Sequence, residues 1–171
     1  MAGGAVAAPV NLALNKTAVA SSSENSTLPA AAAFDGNAKT RWSSAFSDPQ
    51  WIYVDLGASY TVNKVKLKWD TAYAKAFKIQ ASNDARTWID IYSTTSGSGD
   101  TQNLTVTQTK ARYIRMYGTV RATVWGYSLF AMQVYGTAMT VNITNPGAQS
   151  TNINTPVNLQ IKATHSGGNS L

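Results

Sequence analysis

The chain reads as an all-β protein, and three observations carry that reading. The apolar runs are short and rich in Trp, Tyr, Val and Ile, while Ser, Thr, Asn and Gly turn signals recur every few residues. Residues 64–69 alternate without interruption, with Lys64, Lys66 and Lys68 on one face and Val65, Leu67 and Trp69 on the other. Leu-rich stripes at helical spacing are missing. An apolar fraction of 44% in 171 residues is enough for one core of ordinary size.

In chain order, residues 11–23 read as an extended N-terminal strand with a Ser-rich exit. Residues 51–57 (Trp-Ile-Tyr-Val-Asp-Leu-Gly) form a strand closed by a glycine turn, and residues 61–69 form the half-wet strand described above. Residues 77–81 repeat the alternation before a Ser82-Asn83-Asp84 turn. Segments 88–92, 103–107, 111–117 and 127–135 bring the total to about eight short strands, with a Ser/Gly-rich loop at 94–100. Short strands separated by regular turns predict a β-sandwich or jelly roll. Trp42, Trp51, Trp69 and Trp88 lie in or beside strands and are expected in the core.

A boundary is expected near Gly136, dividing residues 11–136 from residues 137–171. The latter carry two strand-like segments, 139–143 and 157–161, and are too few to bury a core of their own. Residues 1–10 are small and apolar, and Ala5-Val6-Ala7 before Ala8-Pro9 resembles the end of a cleaved secretory signal. They are read as a signal remnant or an added start, which implies an extracellular protein. No run approaches the roughly 18 apolar residues of a membrane-spanning helix.

The charge inventory argues against catalysis. Glu24 is the single Glu, His165 the single His, and Cys is absent, so thiolate metal sites and disulfides are excluded. General acid–base pairs would have to come from seven dispersed Asp residues. The net charge of +6 comes mostly from well-spread Lys residues, which read as a solvated surface and not as a nucleic-acid face.

Six motifs follow one another in a recognisable order. They are 11–16 (Asn-Leu-Ala-Leu-Asn-Lys), Asp35-Gly36-Asn37 with Thr40-Arg41-Trp42, the 51–57 strand, Ser82-Asn83-Asp84 with Trp88, 111–115 (Ala-Arg-Tyr-Ile-Arg), and Gly126-Tyr127-Ser128-Leu129 through Val134-Tyr135-Gly136. Residues 11–136 thereby resemble the discoidin, or coagulation-factor type C, domain, and more narrowly carbohydrate-binding module family 32. The resemblance implies an eight-stranded jelly-roll sandwich with a sugar site on loops at one end. It implies a monomeric, non-catalytic module of a secreted bacterial glycosidase, with the catalytic domain elsewhere in the same chain. Residues 137–171 resemble the opening of a bacterial immunoglobulin-like domain, an incomplete β tail, with a linker as the alternative.

The same resemblance implies a structural Ca²⁺ held by the side chains of Asp35 and Thr40 and by carbonyls of Ala32, Asn37, Thr40 and Phe130. The family's remaining ligand is a Glu, and this chain has Ala131 there. Ca²⁺ takes six to eight oxygens and gains from negative ones, so the loss predicts a weakened site. Without a cation, Asp35 simply caps its own turn.

Sugars are bound by aromatic rings against C–H faces and by charged or amide groups on hydroxyls. Glu24, Arg41, Phe46, Asp70 and Trp125 match sugar-contacting positions of the family branch that binds glucosamine- and glucose-type polymers, chitosan or β-glucan. Tyr73 and Arg121 join them from loop position. Each has a plainer alternative: Trp125 packs under its loop, Asp70 caps a turn, Glu24 is solvated, and Arg41 pairs with Asp35 or Asp48. The galactose-binding members use a His, and residues 11–136 contain none. The competing class is an adhesion module for protein or anionic lipid, with Phe46 and Trp125 as apolar spikes.

Overall fold

The computed structural model describes residues 9–138, 141–143 and 163–165. A first compact unit ends at Thr137. It is built from β1 (Ala18–Ala20), β2 (Trp42–Ser43), β3 (Gln50–Trp69), β4 (Ala74–Ser82), β5 (Ile89–Thr94), β6 (Thr101–Arg121) and β7 (Ser128–Ala138), with one 3-10 turn at Ala30–Ala33. Hydrogen bonding runs in the order β2-β7-β3-β6-β4-β5, with β1 added to β3. The fold is of the expected all-β class.

The strand count differs from the eight short strands expected. Residues 51–57 and 61–69 are one 20-residue strand, β3, and residues 103–107 and 111–117 are one 21-residue strand, β6. The glycine turn read after Leu56 is a bend inside β3: Gly57 takes φ +84, its N–H donates to Asp55 Oδ1 at 2.8 Å, and the β3–β6 register shifts between Asp55 and Tyr60 and again between Val62 and Lys64. Bulges let a strand pass from one layer of a sandwich to the other. They also change which parity faces inward. Ile52, Val54, Leu56 and Val62 are buried before the second bulge, and Val65, Leu67 and Trp69 after it.

The core between the layers also holds Trp42, Phe77, Ile79, Ile114, Met116, Tyr127, Leu129, Met132 and Val134. Of the four Trp residues expected there, Trp42 and Trp69 are buried. Trp51 and Trp88 are instead only half-buried on the outer sheet face. The Arg115 guanidinium sits 4.1 Å from the Trp88 ring centre and donates through Nε to Gln80 Oε1 at 2.8 Å. Register explains the placement, because Trp51, Tyr117 and Lys78 form one outward row beside Tyr53, Arg115 and Gln80.

The N-terminal strand is shorter than residues 11–23, and only Ala18–Ala20 pair, with Ile52–Val54. Asn11 instead caps a turn, its Oδ1 accepting the N–H groups of Ala13 and Val134, both at 3.1 Å. A second unit, Ala138–Leu171, has two short antiparallel strands among its described residues, β8 (Val141–Ile143) and β9 (Ala163–His165). The strand expected at 157–161 and the signal-like residues 1–8 lie outside the described residues.

Candidate functional site

At one end of the sandwich, loops from distant parts of the chain enclose a hollow of about 210 Å³ lined by Glu24, Arg41, Ser43, Asp70, Thr71, Ala72, Trp125 and Ser128. Its floor is backbone. Ser43 pairs with Ser128 across β2 and β7, Asp70 N–H donates to Ser128 O at 2.9 Å, and Ser128 N–H donates to Ala72 O at 2.8 Å. Glu24 is brought alongside by its N–H bond to Ser43 O at 2.7 Å. Arg41 faces outward because its neighbour Trp42 is buried, with the Trp42 ring N–H donating to Ser22 O at 2.9 Å.

The electrostatics are mixed within a small space. Arg41 Nε lies 3.1 Å from Asp70 Oδ2 without hydrogen-bond alignment, so the contact is mainly Coulombic. Both side chains are partly exposed, and such a pair is worth about 1 kcal/mol or less. Arg41 therefore pairs with Asp70, and neither Asp35 nor Asp48 is its partner. Asp70 has a more distant neighbour in the Ser128 hydroxyl, at 3.5 Å. Glu24 forms no side-chain hydrogen bond or ion pair with the described residues, so both carboxylates keep acceptor capacity toward the hollow.

The rim is aromatic. Trp125 is 58% exposed and meets Phe46 edge-on, with ring centres 5.4 Å apart. Trp125 is thus not a core residue, and a large ring this exposed offers a face for stacking. Phe46 is 44% exposed and props Trp125 from the side.

The remaining two expected contacts sit elsewhere. Tyr73 is half-buried and packs on the core, its ring so close to Gly99 that a Cβ there would fall 2.8 Å from it. Arg121 is engaged with Asp48 Oδ2 at 3.2 Å and with the Val124 carbonyl at 3.1 Å. Neither lines the hollow, and Phe46 does not line it either but touches Trp125, which does. Ser43, Thr71, Ala72 and Ser128 were not foreseen, because they contribute through strand register and backbone position, which residue type does not reveal.

The Asp-Gly-Asn loop closes on itself. Asp35 Oδ1 accepts the Asn37 N–H at 2.8 Å, Asp35 Oδ2 accepts the Thr40 hydroxyl at 2.6 Å, and that hydroxyl also lies 3.1 Å from the Asn37 carbonyl. Ala131 lies in β7, two residues beyond the Trp42–Leu129 pair. Among the described residues no group of three or more His, Cys, Asp or Glu side chains is placed to hold a metal. Asp35 is the one carboxylate in the donor set that the resemblance implies, and Ala131 adds none, so the set carries less negative charge than Ca²⁺ favours.

A hollow on the loops that combines an exposed Trp with Glu24, Asp70 and Arg41 has the residue types of a ligand-binding site. Residues 17–132 match the F5/8 type C domain, and the chain belongs to that family. It is similar to the crystal structure of chitosan-binding module 1 of a chitosanase/glucanase from Paenibacillus sp. IK-5. Identity there is 53%, over 74% of this chain and 99% of that one, with a TM-score of 0.72. Chitosan-binding module 2 of the same enzyme, solved with chitotriose, is 47% identical over 74% of this chain and 100% of that one, also at a TM-score of 0.72. Solved family-32 carbohydrate-binding modules share the fold. Among curated proteins, the chain is 25% identical over 111 residues to a polysaccharide lyase 8 family protein, HylA, of Enterococcus faecalis. That match covers 60% of this chain and 8% of the length of the relative.

Proposed function

We propose that residues 11–136 are a non-catalytic carbohydrate-binding module for a glucosamine-type polymer such as chitosan. The observation that carries the proposal is that Glu24, Asp70 and the exposed Trp125 line one hollow. Glu24, with no ion-pair partner among the described residues, suits an ammonium group, Asp70 shares its charge with Arg41 and can accept from the sugar as well, and an aromatic face suits the C–H face of a pyranose. The 53% and 47% identity to two chitosan-binding modules supports the same ligand class. A neutral β-1,3-glucan would use the ring and leave the carboxylates with hydroxyl contacts only.

The module acts by holding an attached glycoside hydrolase, carried in the same secreted bacterial chain, on insoluble substrate. One shallow site gives a weak Kd, roughly 10 μM to 1 mM, which repetition or attachment raises through avidity. Sugar binding does not depend on Ca²⁺ in this reading, which rests on Ala131 supplying no carboxylate at the family's remaining ligand position. The module works as a monomer.

The test is co-sedimentation of the whole chain with insoluble chitosan, β-1,3-glucan and galactan, each with and without EDTA. Retention on chitosan in both conditions is expected. Retention on none of them, together with salt-sensitive binding to anionic vesicles, would replace this reading with membrane adhesion.

A further inference from the structure

Trp125 and Phe46 both lie on short loops, and the chemistry that holds those loops is not itself part of the hollow. Tyr127, two residues after Trp125, is fully buried, and its hydroxyl donates to Asp48 Oδ1. Asp48, two residues after Phe46, accepts through Oδ2 from Arg121 Nε at 3.2 Å. Arg121 then turns its NH1 group onto the Val124 carbonyl at 3.1 Å, with the Trp125 carbonyl at 3.5 Å.

The same two loops are stitched a second time. Ser44 N–H donates to Tyr127 O and Tyr127 N–H donates to Ser44 Oγ, both at 2.9 Å. Gly126 lies so close that an added Cβ would collide with the Ser44 carbonyl. The edge-on Phe46–Trp125 contact is thus bracketed on either side by hydrogen bonds running from one loop to the other.

We infer that Tyr127, Asp48 and Arg121 form a relay that sets the angle and order of the Trp125 ring, so that these three are positioning residues for sugar binding. The inference rests on Trp125 being the stacking surface proposed above. An exposed loop must otherwise be ordered by the ligand, and ordering it in advance removes that cost from binding. The relay is built for this. A planar guanidinium can grip a carboxylate and backbone carbonyls at once, which a Lys ammonium on a flexible stem does poorly. Burial and the Asp48 bond hold the Tyr127 hydroxyl protonated, so it stays a donor at all ordinary pH.

The experiment uses the whole chain labelled with 5-fluorotryptophan, with the Trp125 resonance assigned by Trp125→Phe. Arg121→Lys keeps the charge, and Asp48→Asn keeps the shape should the first variant fold poorly. In either variant the Trp125 fluorine signal is expected to broaden and shift. Affinity for a glucosamine trimer is expected to fall about tenfold, with the other four Trp signals unchanged. Affinity lost with an unmoved Trp125 signal would make Arg121 a direct sugar contact and overturn the relay. An unmoved signal with unchanged affinity would overturn it equally. A moved signal in a protein whose wild type binds no sugar would uphold the relay and refute the proposed ligand, so the two failures are separable.

Discussion

Replacing Trp125 by Ala separates binding from folding more cleanly than any other change to the hollow. The ring is 58% exposed. A Trp side chain presents roughly 250 Å², so about 150 Å² is open, of which one face, about 70 Å², is available to a sugar. At about 25 cal/mol per Å², covering that face is worth about 2 kcal/mol, or roughly 30-fold in affinity. The stability cost is limited to the edge contact with Phe46, about 1 kcal/mol. The assay is a calorimetric titration with glucosamine oligomers, paired with a thermal melt of the same preparation. Affinity should fall by more than tenfold while the melting temperature moves by a few degrees. A large drop in melting temperature with affinity retained would show that Trp125 serves packing and that the stacking argument is wrong.

Four further outcomes follow from the same geometry. Asp70→Asn removes one charge that would face an ammonium, an effect of about 1.5–3 kcal/mol, so glucosamine oligomers should bind at least tenfold more weakly while β-1,3-glucan affinity barely changes in parallel titrations. Ala131→Glu places a carboxylate at the ligand position that the family resemblance implies, and the melting temperature of that variant should become more sensitive to EDTA than the natural chain's. Asp55, held low chiefly by the Arg112 guanidinium, Asp84, held low by the backbone N–H groups of Arg86 and Thr87, and Asp90, held low by Lys78 and Gln80, all have folded pKa values below the ordinary 3.8. Their contribution is complete above 3.8 and is lost as pH falls through the folded values, so melting temperatures should hold between pH 7 and about 5 and drop below about 4. Tyr127 is shifted the other way, chiefly by burial, from an ordinary value of 10.0. Its contribution is complete below 10.0 and is lost as pH rises beyond, so Tyr127→Phe should flatten the alkaline fall in stability.

The fold was legible because it is written in side-chain alternation. Val65, Leu67 and Trp69 are buried and Lys64, Lys66 and Lys68 face outward, as the period of two requires. Strand boundaries were less legible. Gly57 and the bulges mark bends in β3 and β6, and a turn residue within a bent strand looks the same in sequence as one that ends it. The Trp residues show the limit of composition. Trp42 and Trp69 went inside, but Trp51 and Trp88 gather around Arg115 on the outer face, a partnership set by register with β6 and by a loop.

The site was legible in part for a similar reason. Glu24, Arg41, Asp70 and Trp125 meet in one hollow although they are separated by as many as 101 positions, and motif order pointed to them. Arg121 and Tyr73, added only because they lie in loops, do not line the hollow, Arg121 bonding the Val124 carbonyl and Tyr73 lying against Gly99. Loop position says that a side chain is near a site, but not whether it faces the ligand or the scaffold. Asp48 and Tyr127 were missed, since an Asp before Pro49 and a Tyr in a strand-like run carry no mark of working together across 79 positions.

The most direct test of the acidic, aromatic-rimmed hollow as a glucosamine site compares two ligands of equal length. The whole chain would be titrated with a glucosamine oligomer and with its fully N-acetylated counterpart, which keeps the pyranose face and removes the ammonium. The account predicts saturable binding of the free amine, at least tenfold tighter than the acetylated oligomer and unaffected by EDTA. Equal affinity for the two, or a preference for the acetylated form, would contradict the assignment of Glu24 and Asp70 as the ammonium's partners.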